Sequence, residues 1–99
     1  MTLTSKQRKT LRSMANTMDS TLIVGKSDVN EAVAQQASEE LEARELIKGS
    51  VLDSSNLTAR EACDALCERT GAEPVQVIGR RFVIYRRSSR KDFEHIELD

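Results

Sequence analysis

Four short runs of β-branched and apolar residues alternate along the chain with segments that have the apolar spacing of amphipathic helices. The runs cover residues 21–24, 46–52, 75–78 and 81–86. A helical pattern precedes the first run and others separate the first three, whereas only Gly79 and Arg80 separate the last two. Strand–helix–strand units place strands parallel, and a two-residue connection makes an antiparallel hairpin. The order α-β-α-β-α-β-β therefore predicts an α/β (α+β) domain with a mixed four-stranded sheet packed by helices.

The three helices are predicted from capping residues and apolar stripes. Thr4 can cap a helix that begins at Ser5, and Asn30 can cap one over residues 31–44. Thr58 and Glu61 fit a capping box for the third, which Gly71 ends. The stripes are Leu11, Met14, Ala15 and Met18 in the first helix, Val33, Ala34, Ala37 and Leu41 in the second, and Ala59, Ala62, Cys63, Leu66 and Cys67 in the third.

The strand runs carry their own markers. The first run consists of β-branched and apolar residues, stops at Gly25 and predicts a buried strand. Gly49 interrupts the second, where it predicts a weak point or a bulge. Pro74 opens the third, and Gly79-Arg80 suits a type II′ turn into the fourth.

Length and composition fit one small domain. The chain has 99 residues, of which 38% are hydrophobic and 31% charged, enough for one modest core. We expect the domain to span residues 1–87, followed by a charged tail over 88–99 in which Phe93, Ile96 and Leu98 could dock. No apolar run approaches the roughly 20 residues of a membrane span, and the two cysteines do not suggest a disulfide framework. We therefore expect a cytoplasmic domain without membrane contact.

Charge is segregated although the net charge is only −1. Residues 1–26 carry +4 and residues 80–91 carry +6, whereas residues 27–79 carry −7 and residues 92–99 carry −4. Folding that brings the two basic blocks together would favour nucleic-acid binding. The alternative is that these are solvated faces.

Nothing in the sequence predicts an enzyme, a cofactor or a metal site. Cys63 and Cys67 share one helix face, where small buried side chains are the simpler interpretation. His95, the only histidine, is predicted to be a solvated surface residue. Phe82 and Tyr85 alternate in one run and are too few for an aromatic sheet that stacks bases.

The connection after the first strand is the strongest candidate for a binding loop. Gly25 would let the backbone approach a phosphate closely, and the start of the next helix favours an anion. Lys26 adds a positive charge, and Ser27 adds a hydroxyl. The alternative is an ordinary turn with a solvated lysine.

Four short motifs occur in a specific order. They are residues 3–9 with Leu11-Arg12, then Val24-Gly25-Lys26, then Glu45-Leu46-Ile47-Lys48, then residues 75–79 leading to Val83-Ile84-Tyr85-Arg86. Together they resemble the CRM domain family (chloroplast RNA splicing and ribosome maturation), in particular its stand-alone bacterial YhbY-like members, over roughly residues 2–87. The resemblance implies a fold similar to the C-terminal domain of translation initiation factor three. It also implies RNA binding, with bacterial members associated with large-subunit precursors and plant relatives serving group II intron splicing.

The resemblance further implies a GxxG loop similar in kind to that of KH domains. Gly25, Lys26 and Ser27 match its first three positions, and Asp28 stands where the second glycine is expected. An acid there would repel phosphate, and any positive φ suits Asp less than glycine. The implied RNA-binding cations are Lys6, Arg8, Lys9 and Arg12 of the first helix, Lys48, Arg80, Arg81, and Arg86 with the run to Lys91.

We therefore predict a monomeric, cofactor-free RNA-binding protein that acts on precursor large ribosomal subunits. Its predicted partners are ribosomal RNA and, in addition, ribosomal proteins. Binding is predicted to be electrostatic and poorly sequence-specific, because lysines and exposed arginines suit phosphates. The alternative is a protein-interaction module on the same fold, with an acidic docking face made by Glu31, Glu39, Glu40, Glu42 and Glu45.

Overall fold

A computed structural model describes residues 2–98 of the chain. Seven elements follow in the predicted order, which is confirmed. They are α1 (Ser5–Ala15), β1 (Leu22–Val24), α2 (Glu31–Arg44), β2 (Leu46–Val51), α3 (Ala59–Thr70), β3 (Glu73–Ile78) and β4 (Arg81–Tyr85).

The four strands form one mixed sheet, as predicted, and their order across it is β1-β2-β4-β3. β1 and β2 run parallel, joined through α2, and β4 pairs antiparallel with both β2 and β3. The crossover through α3 therefore leaves β2 and β3 on either side of β4. Gly79 has φ 57, which suits the tight turn predicted between β3 and β4.

The helix ends follow from local hydrogen bonds. The Thr4 side chain accepts from the Gln7 N–H at 3.1 Å, and the Gln7 side chain accepts from the Thr4 N–H at 3.0 Å. Thr58 and Glu61 form the same reciprocal capping box at α3. Gly71 ends α3 with φ 77, where a side chain would be strained.

The two faces of the sheet are covered unequally. On the α2/α3 face, the sheet side chains of Ile47, Phe82 and Ile84 are buried against Leu41 and Leu66 of the helices. On the α1 face, one helix covers only part of the sheet. There Leu11 and Ala15 are buried against Leu46, Val75, Val83 and Tyr85, and we call this group of side chains the α1 cluster.

This unequal cover corrects the predictions that Met14 and Ile23 belong to the core. Met14 is 41% exposed because it lies outside the buried side of α1, which is formed by Leu11 and Ala15. Met18 lies beyond the end of the helix but still packs against the α1 cluster. Ile23 is 47% exposed, since only the α2/α3 side of β1 is covered, so the first strand is not buried on both faces.

Gly49 does not interrupt β2. Its partner on β4 is Phe82, and a Cβ at Gly49 would lie 2.2 Å from the Phe82 ring. The glycine therefore makes room for the ring, which is buried. The irregularity lies instead in β3, where the register shifts between Pro74 and Gln76.

The segment predicted to be a charged tail is held against the domain by Glu45. This residue follows α2 with φ 67 and is fully buried. Its carboxylate accepts the Ser88 and Ile96 N–H groups, both at 2.7 Å, and lies 2.5 Å from His95 Nδ1. Ile96 and Leu98 pack against the α1 cluster, as the sequence suggested. The prediction that His95 is solvated was wrong, because its side chain is 20% exposed and contacts Glu45.

Candidate nucleic-acid interface

Three connections meet at one end of the sheet, which we call the loop end: residues 25–30, 52–58 and 79–80. The parallel strands β1 and β2 both finish there, and the Leu52 N–H donates to the Val24 carbonyl at 2.8 Å. The Val51 N–H donates to the Arg80 carbonyl at 2.8 Å, which ties in the β3–β4 turn. The predicted binding loop is thus held beside two other loops rather than standing free.

Gly25 is not required by the fold of the free protein. Its φ is not positive; within residues 2–98 the glycines with positive φ are Gly71 and Gly79. A Cβ at this position would lie 3.5 Å from Leu52 Cδ1 and 3.7 Å from Ser54 Oγ, which are ordinary contacts. What a side chain here would obstruct is the approach of an external group to the backbone.

Asp28 has φ 54, the conformation for which glycine is best suited. Its N–H closes the turn onto the Gly25 carbonyl at 2.9 Å. Its carboxylate accepts the Ser55 hydroxyl at 2.6 Å and the Asn56 N–H at 2.9 Å. The Ser55 bond, followed by the Asn56 bond, holds the pKa of Asp28 below its ordinary value. The acid that departs from the GxxG pattern therefore joins two loops.

Six of the cations that the sequence predicts to bind RNA lie on the loop or on the α1 side of the molecule. Lys26 is exposed in the loop, and within residues 2–98 it forms no ion pair. Lys48 and Arg81 lie on the uncovered part of the α1 face, where both line a shallow depression of about 130 Å³ with Asn16. The exposed cations of α1 are Lys6, Lys9 and Arg12, which also form no ion pair with the described residues.

Three arginines that the sequence predicts to bind RNA form hydrogen bonds or an ion pair with other residues of the same chain. Arg8 Nε donates to the Pro74 carbonyl at 3.2 Å, and Arg80 pairs with Asp53 at the surface. Arg86 lies on the α2/α3 face rather than with the other cations. Its guanidinium donates to the Thr70 carbonyl at 2.7 Å and the Ser38 carbonyl at 3.0 Å, and the side chain is 21% exposed. The structure therefore does not bring Arg86 together with the loop and the α1 cations.

The predicted acidic docking face is not a continuous open surface. Glu45 is buried, which corrects its place in that set. Glu42 accepts bonds from the Ser89 N–H and hydroxyl, and these, ahead of the nearby Arg86 charge, lower the pKa of Glu42. Glu40 accepts from the Thr21 hydroxyl. These three carboxylates serve internal contacts, which sequence spacing on a helix could not reveal.

The remaining chemical candidates belong to the core or the surface of the fold. Cys63 is buried and Cys67 is half-buried, as their stripe predicts. Contact with Cys63, together with burial, raises the pKa of the Cys67 thiol. Among residues 2–98, no group of three or more His, Cys, Asp or Glu residues is placed to hold a metal ion. None of the described helices has the length and apolar character needed to cross a membrane.

Comparison with known families and proteins gives consistent matches. The model of the CRS1 / YhbY (CRM) domain matches residues 3–86. The "probable RNA-binding protein YqeI" of Bacillus subtilis is 41% identical over 97% of this chain and 98% of its own length. An "RNA-binding protein" of Haemophilus influenzae is 31% identical over 88% of each chain.

A solved structure matches over the same length. It is the solution structure of a hypothetical protein from Staphylococcus aureus, described as "a putative RNA binding protein". The two chains are 43% identical and superpose with a TM-score of 0.78, over 98% of this chain and 99% of the other. This agreement confirms the predicted fold class.

Proposed function

The chain belongs to the CRS1 / YhbY (CRM) domain family, and we propose that it is an RNA-binding protein. The proposed contact surface consists of the loop 25–27, the exposed cations of α1, and Lys48 and Arg81 on the α1 face. The names of the relatives as RNA-binding proteins support the class of ligand. The geometry supports the location.

The observation that carries the proposal is the pairing of Gly25 with Lys26. Glycine at this position serves neither a positive φ nor a packing need in the free protein. Lys26 beside it is exposed and within residues 2–98 has no acidic partner. A backbone that a phosphate can approach closely, next to an unpaired ammonium, is the arrangement that binds a sugar–phosphate chain.

Gly25→Ala tests this proposal because the structure predicts that the variant folds normally. A methyl group at this position makes only ordinary contacts with Leu52 and Ser54. We expect an unchanged melting temperature and weaker binding of a fluorescein-labelled ribosomal RNA fragment in fluorescence anisotropy. Ser54→Ala, in the neighbouring loop, is a matched control that should change neither. Normal binding by Gly25→Ala would exclude the loop backbone from the interface.

We also propose that the RNA is ribosomal RNA in precursors of the large subunit, as the family resemblance implies. Its support is the family membership and an electrostatic surface suited to phosphates. Sedimentation of a cell extract through a sucrose gradient tests it. The protein should migrate with particles that precede the mature large subunit and should leave them at high salt. Migration only at the top of the gradient at low salt would contradict this assignment.

A further inference from the structure

α1 does not extend over its face of the sheet at the loop end, and we call this part of the face the open half. At its centre the Ser50 hydroxyl donates to the Ser20 hydroxyl at 2.7 Å, and Ser50 is less exposed than the residues at the two ends of the patch. Its outer row runs straight across all four strands, because Ile23 pairs with Ser50, Ser50 with Arg81, and Arg81 with Ile78. Directly opposed residues point to the same side of a sheet. The inner row, at the border with the part that α1 covers, consists of Lys48 and Gln76, both half-buried, and Val83, which is buried between them.

The open half combines exposed apolar side chains with cations. Ile78 is 64% exposed and Ile23 is 47% exposed, although both are large aliphatic residues in strands. Arg81 lies between them in the outer row, and Lys48 lies diagonally opposite Arg81. The two rows contain no acid. Adjacent strands are about 4.8 Å apart, so the outer row is about 14 Å long, a distance that a few nucleotides span.

The open half is continuous with the loop proposed to bind phosphate. Ile23 is two residues before Gly25 in the chain, and β1 leads directly into the loop. Leu52, 47% exposed, lies beside Gly25, where a Cβ would be 3.5 Å from Leu52 Cδ1. A chain whose phosphates lie on the loop would therefore have its next groups over the apolar row.

We propose that the open half binds the bases of single-stranded RNA; this rests on the proposed function and names the form of RNA recognised. Ile23 and Ile78 provide aliphatic contacts to base faces, and Arg81 offers a guanidinium plane on which a base can stack. Lys48 neutralises a phosphate between them. The aromatic side chains of the sheet cannot serve, since Phe82 is buried under the α2/α3 helices and Tyr85 under α1.

RNA fits this surface better than a protein partner does. A protein interface of this size would place apolar side chains at its centre and deplete charge there. Here Arg81 lies between the isoleucines and Lys48 lies diagonally opposite it, next to a loop with a further unpaired lysine. An unpaired stretch of nucleotides suits both kinds of side chain, because its phosphates are negatively charged and its bases have flat apolar faces.

The test compares three fluorescein-labelled probes of equal length: an oligouridylate, an oligonucleotide of abasic sugar–phosphate units, and a blunt RNA duplex. The variant Ile23→Thr/Ile78→Thr keeps β-branched side chains in both strands and removes their apolar ends. Met14→Gln is the matched control, because Met14 is also an exposed apolar residue but lies on α1, outside the two rows. Melting curves check that both variants fold.

We expect the double variant to bind oligouridylate about tenfold more weakly, with little change for the abasic and duplex probes. Met14→Gln should bind all three like the original protein. If the double variant binds oligouridylate normally while Lys26→Ala weakens binding, the phosphate contact at the loop is supported and base binding by the open half is refuted. If the original protein binds the duplex more tightly than oligouridylate, or binds the abasic probe as tightly as oligouridylate, base binding by the open half is likewise refuted. If no probe binds at low salt, the proposed function itself fails.

Discussion

Removal of the Glu45 carboxylate should destabilise the protein and release its C-terminal segment. In the native structure this buried group accepts the N–H groups of Ser88 and Ile96 and contacts His95. Glu45→Ala leaves all three without their partner. A buried polar group that loses its partner costs about 1–3 kcal/mol. Because residues 88–98 can detach and be hydrated, we expect a total loss of about 2–4 kcal/mol rather than the full sum.

The backbone at Glu45 provides an internal comparison. Its φ of 67 and ψ of −38 lie near the rare γ-turn conformation, which strains any residue with a Cβ. Glu45→Gly removes the same carboxylate but relieves this strain, which is worth about 1–2 kcal/mol. Glycine also increases the entropy of the unfolded chain, and this offsets part of the gain from strain relief. We therefore expect Glu45→Gly to be about 1 kcal/mol more stable than Glu45→Ala.

The stabilisation should also depend on pH. Burial raises the pKa of Glu45, but the contacts with His95, the Ile96 N–H and the Ser88 N–H outweigh it and leave the pKa below its ordinary value. A carboxyl group whose pKa is lowered on folding stabilises the protein above its unfolded pKa, and this is lost as pH falls through the folded pKa. The difference in unfolding free energy between the original protein and Glu45→Gln should therefore shrink as pH falls below about 4.5.

Urea denaturation followed by circular dichroism measures these differences, and limited trypsin digestion reports the segment directly. Glu45→Ala should be cut faster after Arg87, Arg90 and Lys91 than the original protein. His95→Ala, which removes one of the three contacts, should have a smaller effect on both measurements. Equal unfolding free energies for Glu45→Ala and the original protein, with the same cleavage rate, would refute this account of the segment.

Three further substitutions follow from the structure. Gly49→Ala drives a methyl group into the Phe82 ring and should cost about 1–3 kcal/mol of stability in urea denaturation, a cost that Phe82→Leu in the same chain should partly recover. Leu11→Ala removes a fully buried side chain that holds α1 on the sheet, and thermal melts should show a loss of about 2–5 kcal/mol. Asp28→Gly suits the positive φ and removes a negative charge beside Lys26, so it should bind RNA more tightly in anisotropy titrations; it should also melt somewhat lower because the bonds to Ser55 and Asn56 are lost. Unchanged affinity would exclude the region around Asp28 from the RNA interface.

Local signals were sufficient to predict the elements. Thr4 caps α1 as predicted, Thr58 forms the capping box that its spacing from Glu61 predicts, and Gly71 ends α3 in the left-handed conformation. These features depend on contacts within four residues, which a sequence displays directly. The bulge in β3 and the role of Gly49 depend on which strand lies alongside, and periodicity carries no such information.

The candidate site was predictable only in part. The loop after β1 and the cations of α1 each form a short segment of the sequence, so composition alone was enough to propose them as candidates. Glu45 has the sequence features of a surface helix residue, yet its partners His95 and Ile96 lie about 50 positions away. Likewise, Arg86 continues a basic run in the sequence, but strand alternation turns it to the α2/α3 face.

The open half shows why face assignment needs the tertiary structure. Its outer row gathers one residue from each of four strands, and no two of them are neighbours in the chain. From sequence, an isoleucine in a strand pattern is expected to be buried, because the sequence does not show that α1 stops short of it.

The salt dependence of RNA affinity, measured for the original protein and for Lys26→Ala, is the sharpest test of electrostatic RNA binding through the loop. Lys26 lies in a turn and has no buried contacts, so the substitution should leave the melting temperature unchanged. If three to five phosphates are neutralised, log affinity should fall with log salt at a slope of roughly −2 to −4. Lys26→Ala should bind more weakly at low salt with a slope shallower by about 1. An identical slope and affinity for the two proteins would contradict a phosphate contact at the loop, and a slope near zero for both would contradict electrostatic RNA binding altogether.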